Sequence, residues 1–287
     1  MKPILRVEYL TKRYGPGCPY CFSLTGADRQ TNQCPRCQSV LACRDVTFDL
    51  YPNEVLGIVG ESGSGKSTVV RLLHFDFEPT DGRFHLDLNG NDPAAGALGI
   101  DPDQNLFSLS AFKQRRIRNE RMGIVYQNPR MGLYLKVSAG GNIAERLLMG
   151  GWRHVGRMQQ RASHLLEQTE VPARRMNEPP VNFSGGMQQR VQIAKALSTR
   201  PAVLFLDEVT TGLDVSVQAR VLDLIRSLQQ ALGIATIVVS HDLGVIRLLT
   251  SRTIVMRHGC IVESGLSDQI LEDPQHPYTQ LLVNSVL

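Results

Sequence analysis

Gly60-Glu61-Ser62-Gly63-Ser64-Gly65-Lys66-Ser67 is the stretch whose residue types and spacing say most about chemistry. Gly60-x4-Gly65-Lys66-Ser67 is the pattern of a phosphate-binding loop, with an apolar run before it and a helical pattern after it. Glycines let backbone N–H groups converge on phosphate oxygens, and the N-terminus of the following helix favours an anion. Ser62, Gly63, Ser64 and Thr68 complete the cradle. Lys66 is placed to reach the β- and γ-phosphates of a nucleotide, and the Ser67 hydroxyl to ligate Mg²⁺. A second element, Val203-Leu204-Phe205-Leu206-Asp207-Glu208, is an apolar run delivering two carboxylates at its end. Asp207 is placed to organise the Mg²⁺ shell and Glu208 to polarise an attacking water. Two acids after a strand can also be a helix cap and a solvated turn. Beside a phosphate loop the catalytic reading prevails.

Four of the six cysteines stand in two pairs, Cys18-Pro19-Tyr20-Cys21 and Cys34-Pro35-Arg36-Cys37. Four thiolates at this spacing can surround one Zn²⁺ as a closed structural site. Residues 15–42 are too few to own a core, so metal would supply their folding free energy. Iron–sulfur or redox chemistry, and cysteines without metal, remain open. The pattern resembles a zinc ribbon, although neither knuckle has the glycine often found after its second cysteine. Cys43 lies just outside, and Cys260 is expected in the core of a late strand.

The elements that must position these residues follow from periodicity. Residues 4–10 alternate and run as a strand toward Tyr14. After the insert, Val46–Leu50 resumes a strand, Glu54–Val59 feeds the loop, and Ser67–Leu73 is a helix. Residues 89–110, rich in Gly, Pro, Ala and Asp, read as loop. Residues 112–121 read as a basic helix whose Arg115, Arg116, Arg118 and Arg121 form a solvated face. Residues 137–178 carry helical patterns broken by Gly150-Gly151 and Pro172. After Ser184 strands alternate with helices, which indicates a mostly parallel sheet. The chain has 287 residues, 42% of them apolar, enough for a sizeable core. Aromatics at 6% and a net charge of +4 argue against a nucleic-acid surface. No run reaches the ~18 apolar residues of a membrane span, and no export signal opens the sequence, so a cytoplasmic protein acting on a separate partner is expected.

Phe183-Ser184-Gly185-Gly186-Met187-Gln188-Gln189-Arg190 sets the class, because it resembles the signature of ABC ATPases. The resemblance covers nearly the whole chain outside residues 15–42. It implies an α/β fold: an ABC-type P-loop NTPase with a mostly parallel sheet, an N-terminal antiparallel β subdomain and a helical signature subdomain. The whole of 1–287 would be one ATPase domain, with the insert at 15–42 and the helical part at 128–183. It implies ATP and Mg²⁺, and a homodimer or paired ABC subunit closed head to tail. Ser184, Gly185 and Gly186 would then cap the γ-phosphate of the partner's ATP. Gln127 looks like the glutamine that senses Mg²⁺ and γ-phosphate. Asp214, in Thr211-Gly212-Leu213-Asp214, looks like the D-loop aspartate, and His241 like the switch histidine. Tyr14 matches the aromatic that stacks on adenine. Val209 departs from the pattern, which usually has proline after the glutamate.

Residues 272–282, containing His276-Pro277-Tyr278-Thr279, resemble the oligopeptide/dipeptide importer branch. After Gln127, however, the chain lacks that branch's Ser-Leu-Asn-Pro segment. Val137-Ser138-Ala139-Gly140-Gly141-Asn142-Ile143, Leu213–Arg220 and Asn284-Ser285-Val286-Leu287 are similar to the ATP-binding subunits of bacterial carbon–phosphorus lyase systems, which break down phosphonates. That resemblance implies docking on a soluble enzyme core rather than a transport channel. The ATPase of a peptide or nickel importer is the alternative, and a metal-sensing or nucleic-acid-handling protein a third reading.

Overall fold

The computed structural model describes residues 2–88 and 101–285, in two units: Met1–Gln114 with Ile237–Leu287, and Arg115–Thr236. In the first unit β1 (Leu5–Tyr14) leads to the insert, which holds the single-turn helix α1 (Cys21–Leu24). The chain returns as β2 (Val40–Leu50), antiparallel to β1, with Leu5 facing Leu50 and Tyr14 facing Val40. The strand expected from Val46 therefore starts six residues earlier. Arg44-Asp45, just before the expected start, is an irregularity inside the strand, where Asp45 takes a left-handed φ of 50° and the pairing shifts register.

β3 (Val55–Val59) and α2 (Lys66–Leu73) frame the phosphate loop. β4 (Asp81–Leu86), which the sequence pattern did not reveal, pairs antiparallel with the other edge of β1. Its two inward side chains, Phe84 and Leu86, are buried beside Leu5 and Val7 in the same sheet, and the Phe84 ring meets those of Phe75 and Phe107 at 5.7 and 5.6 Å. Of the loop expected at 89–110, residues 89–100 lie outside the described residues. The remainder carries one short helical turn at Leu106–Ser108.

α3 (Ala111–Arg121) runs from the first unit into the second. Arg115 and Arg116 are exposed as expected, but Arg121 is buried at 7% exposure, because the helix ends directly in β5 (Met122–Val125). The second unit continues with α4 (Pro129–Gly132), α5 (Ala139–Met149), α6 (Val155–Gln168) and α7 (Gly185–Leu197). β6 (Val203–Asp207) lies parallel to β5, and α8 (Val215–Leu232) follows. β7 (Ala235–Val239) returns the chain to the first unit. There α9 (Leu243–Leu249) precedes β8 (Arg252–Arg257), parallel to β3, and β9 (Cys260–Leu266), antiparallel to β8. The chain closes with α10 (Ser267–Glu272) and α11 (Pro277–Asn284). The fold is thus α/β, with a mixed, mostly parallel sheet and a separate antiparallel one. Among the described residues no helix is long and apolar enough to cross a membrane.

Candidate functional site

In the first unit, β3 is buried nearly throughout and ends at Val59, directly before Gly60, the first residue of the phosphate loop. Gly60 has φ +146°, and a Cβ there would stand 2.1 Å from the Met256 carbonyl oxygen. Gly65 has φ +106°, and a Cβ there would stand 2.0 Å from the Ala42 carbonyl oxygen. Both positions therefore exclude any side chain, by conformation and by volume. Lys66 is 3% exposed, and its ammonium donates to the carbonyls of Gly60 at 2.7 Å and Glu61 at 2.8 Å. The cation is thus held against the backbone of the loop. Ser62 and Gly63 are exposed, Ser64 is buried, and Ser67 and Thr68 lie half-buried in the first turn of α2. Tyr14 is 44% exposed at the end of β1, with the Lys12 ammonium 5.2 Å from its ring centre. His241 is exposed between two local anchors: Asp242 N donates to Ser240 Oγ, and Asp242 caps α9 by accepting from Gly244 N.

In the second unit β6 is entirely buried and carries Asp207, 3% exposed, at its end. Glu208 follows with a left-handed φ of 49° that turns its carboxylate off the strand line. Thr211 Oγ1 donates to Glu208 Oε2 at 3.4 Å, and Thr211 N donates to the Glu208 carbonyl at 3.2 Å. Val209, in place of the usual proline, is buried at 4% exposure. Asp214 opens α8, its carbonyl accepting from Val217 and Gln218 N.

Ser184 caps α7 by accepting from Met187 N. Gly185 is exposed and Gly186 buried, and a Cβ on Gly186 would meet Val217 Cγ1 at 2.4 Å. Gln127 is exposed just beyond β5. Its backbone approach is fixed by a residue the sequence pattern missed: Gln192, 1% exposed, accepts from Tyr126 N at 3.1 Å and donates to Tyr126 O at 2.9 Å. A second unforeseen residue, Arg146, donates to the Arg118 carbonyl at 2.7 Å, to Asn119 Oδ1 at 3.2 Å and to the Met122 carbonyl. Burial lowers its pKa to about 10. A polar residue on an otherwise apolar helical stripe was the available signal for both.

The sequence profile of the ABC transporter family matches residues 43–211, which span the phosphate loop, the Ser184-Gly185-Gly186 turn and the Asp207-Glu208 pair. The chain belongs to this family. It is 46% identical, over 286 residues covering all of it and 98% of the relative, to a protein of Escherichia coli (strain K12) named "Putative phosphonates utilization ATP-binding protein PhnK". It is 38% identical over 248 residues, 85% of its length and 71% of the relative's, to a "Putative peptide import ATP-binding protein" of Brucella abortus (strain 2308). Among solved structures it is similar to the ATP-binding cassette MJ0796, seen as a post-hydrolysis dimer bound to ADP and Pi. That likeness has a TM-score of 0.72 at 25% identity and covers 92% of this chain and 98% of that one. This ABC ATPase therefore hydrolyses ATP, and its family implies ATP with Mg²⁺.

The four cysteines of the insert come together. Their sulfurs all lie within 4.8 Å of one another. Cys18 Sγ is 3.7 Å from both Cys21 Sγ and Cys34 Sγ, and Cys21 Sγ is 3.5 Å from Cys37 Sγ. A disulfide needs about 2 Å, whereas a tetrahedron of thiolates at ~2.3 Å from a metal has edges of about 3.8 Å. The cluster can hold a metal ion. Gln38 takes a left-handed φ of 60° and donates its N–H to the Cys34 carbonyl, doing the work of the glycine that the second knuckle lacks. Hydrogen bonding with the Ser39 side chain and backbone holds the Cys37 thiol down at about 6, while burial pushes Cys21 up to about 12. Cys43 is fully buried, and burial raises it to about 12. Cys260 opens β9 half-buried rather than in the core.

The segment 132–147 is not a loose Gly-rich turn. Ser138 caps α5 by accepting from Gly141 N. Asn142 is fully buried, accepting from Tyr134 N at 2.8 Å and donating to the carbonyls of Tyr134, Val137 and Ser138 at 3.0–3.1 Å. A Cβ at Gly140 would meet Met176 Cγ at 2.5 Å, so the glycine sits where α5 packs closest. Asn142→Ala is expected to strand several of these backbone groups, at a cost of about 2–4 kcal/mol. A thermal melt should fall by roughly 5–15 °C. An unchanged Tm would mean that water replaces the side chain.

Proposed function

We propose that this ABC ATPase is the ATP-hydrolysing subunit of a phosphonate-degrading carbon–phosphorus lyase system, acting in the cytoplasm as a head-to-tail dimer on a soluble enzyme core. The observation that carries the reading is 46% identity along the full chain to the phosphonates-utilization protein. The ordered segment at 132–147, where the sequence departs from the peptide-importer pattern, supports it. Against it stands the ending with His276-Pro277-Tyr278-Thr279 and the 38% identity to a peptide-import protein, which favour the importer alternative.

In this reading Mg²⁺ supplies charge neutralisation at the β- and γ-phosphates. Lys66 moves from the Gly60 and Glu61 carbonyls onto those phosphates, and the loop N–H groups orient them. Ser67, Gln127 and Asp207 hold the ion. Glu208 takes the proton of the attacking water, and His241 fixes the γ-phosphate. Tyr14 stacks on the base, while Ser184, Gly185, Gly186 and Asp214 serve the partner's nucleotide. The whole of 1–287 would be one ATPase domain carrying the insert at 15–42 and a helical part at 128–183. Cys18, Cys21, Cys34 and Cys37 hold one structural Zn²⁺, since a four-thiolate site leaves no position open for substrate.

Affinity purification from cells growing on a phosphonate as sole phosphorus source tests the partner. Soluble subunits of the lyase are expected to co-purify in roughly stoichiometric amounts. Recovery of membrane-spanning permease subunits without them would reject the reading in favour of the importer.

A further inference from the structure

The His276-Pro277-Tyr278-Thr279 motif has no part in the chemistry above, yet its tyrosine reaches the phosphate loop. Glu61 N donates to Tyr278 Oη at 3.0 Å. Glu61 is the second residue of the loop. The carbonyl of the same residue accepts from Lys66 Nζ at 2.8 Å and from Ser64 N at 3.1 Å. Glu61 is therefore held from both sides, by the loop's own lysine and serine at its carbonyl and by the C-terminal helix at its N–H.

The hydroxyl is itself held rigidly. The Tyr278 side chain is 2% exposed, and the Arg257 guanidinium lies 4.6 Å from the ring centre. Each residue around it fixes the start of α11. Pro277 occupies the first turn, where a missing N–H costs nothing. His276 Nδ1 accepts from Tyr278 N at 3.1 Å. The Glu263 carboxylate, on β9, accepts from Gln275 N at 2.8 Å and from His276 N at 3.1 Å. The chain of contacts thus runs from β9 through the start of α11 to the peptide at Glu61. A loop that must present several N–H groups to phosphate at once gains affinity from being ordered beforehand.

We propose that Tyr278 is a positioning residue of the phosphate loop, its hydroxyl holding the Glu61 peptide in the geometry that receives nucleotide. The proposal rests on the nucleotide role of that loop and does not depend on which partner the ATPase serves. Tyr278 acts through the backbone of the loop and is not among the residues assigned to the chemical step, so its loss weakens nucleotide binding and leaves that step intact.

Tyr278→Phe in the full chain keeps the ring and removes only the hydroxyl. The expected result is a rise of about 3- to 10-fold in Kd for ATP and ADP and in KM for ATP, the worth of one hydrogen bond. At saturating ATP, kcat should stay within about twofold and Tm nearly unchanged. Amide exchange of the peptide covering residues 60–66 in nucleotide-free protein should speed up. Equal Kd and equal exchange in wild type and variant would overturn the proposal, and so would a fall in kcat at unchanged KM. Should wild type bind no nucleotide, the nucleotide reading of the loop fails, and the exchange rates still decide whether Tyr278 holds it. If Tyr278→Phe does not accumulate as folded protein, Glu263→Gln keeps the tyrosine and weakens only the carboxylate cap. It should give a smaller loss of the same kind, and wild-type affinity in that variant would count against the proposal.

Discussion

Glu208→Gln should bind ATP within about twofold of wild type while turnover falls by about 10²- to 10⁴-fold, the range for loss of a general base. The amide is the same size as the carboxylate and still offers Thr211 Oγ1 an acceptor, so the turn after β6 should survive. The left-handed backbone at residue 208 strains glutamine no more than glutamate. What disappears is the capacity to take a proton from water. Phosphate release measured beside nucleotide binding separates the two effects. A variant turning over within tenfold of wild type would move the role of base to another group.

The other large effect concerns the insert. Purified wild-type protein is expected to carry about one equivalent of zinc per chain, and Cys34→Ser to lose most of it. Cys34 is fully buried and packs with Cys21 and Leu41 in the small core of the module, so its loss removes a ligand and a packing partner together. Proteolysis within residues 15–39 should accelerate at least about tenfold, because cleavage follows the population of the opened form. Nucleotide affinity should weaken by only a few fold. The module reaches the loop through Asn32, whose side-chain amide donates to the Gly63 carbonyl at 3.5 Å and whose own carbonyl accepts from Leu41 N at 2.8 Å. Elemental analysis, limited proteolysis and ATP titration read the three effects. Wild-type protein purified without metal, and resistant to protease in that state, would refute the zinc assignment.

Much of this was legible in the sequence because it rests on local rules. The phosphate loop, the Asp207-Glu208 pair and the Ser184-Gly185-Gly186 turn each combine residue types that few other local structures require. The boundaries of α8 and α9 follow from amphipathic periodicity with Asp214 and Asp242 at their starts. β4 was not legible, because its two buried positions acquire meaning only from the long-range pairing with β1. The same holds for Gln192, Asn142 and Arg146. Most of their partners are backbone groups, from 4 to 66 residues away, and a polar residue within a helical pattern does not announce which group it will meet. Arg121 was misread as solvent-facing for a related reason: helical periodicity places it among the other arginines, and only the abrupt passage into β5 buries it.

Tyr14 and Val40 face each other across the first two strands, so the four-cysteine insert leaves and re-enters the sheet at one point. In topological terms it is the loop of a hairpin, grown to 25 residues between those two positions. Lengthening such a loop costs the rest of the fold little, since closure entropy rises only about 0.6 kcal/mol per doubling. A lineage can therefore acquire or discard the whole device by exchanging one connection, without re-registering a strand or disturbing the catalytic core. The cassette and its cysteine cluster can have separate histories within a single chain.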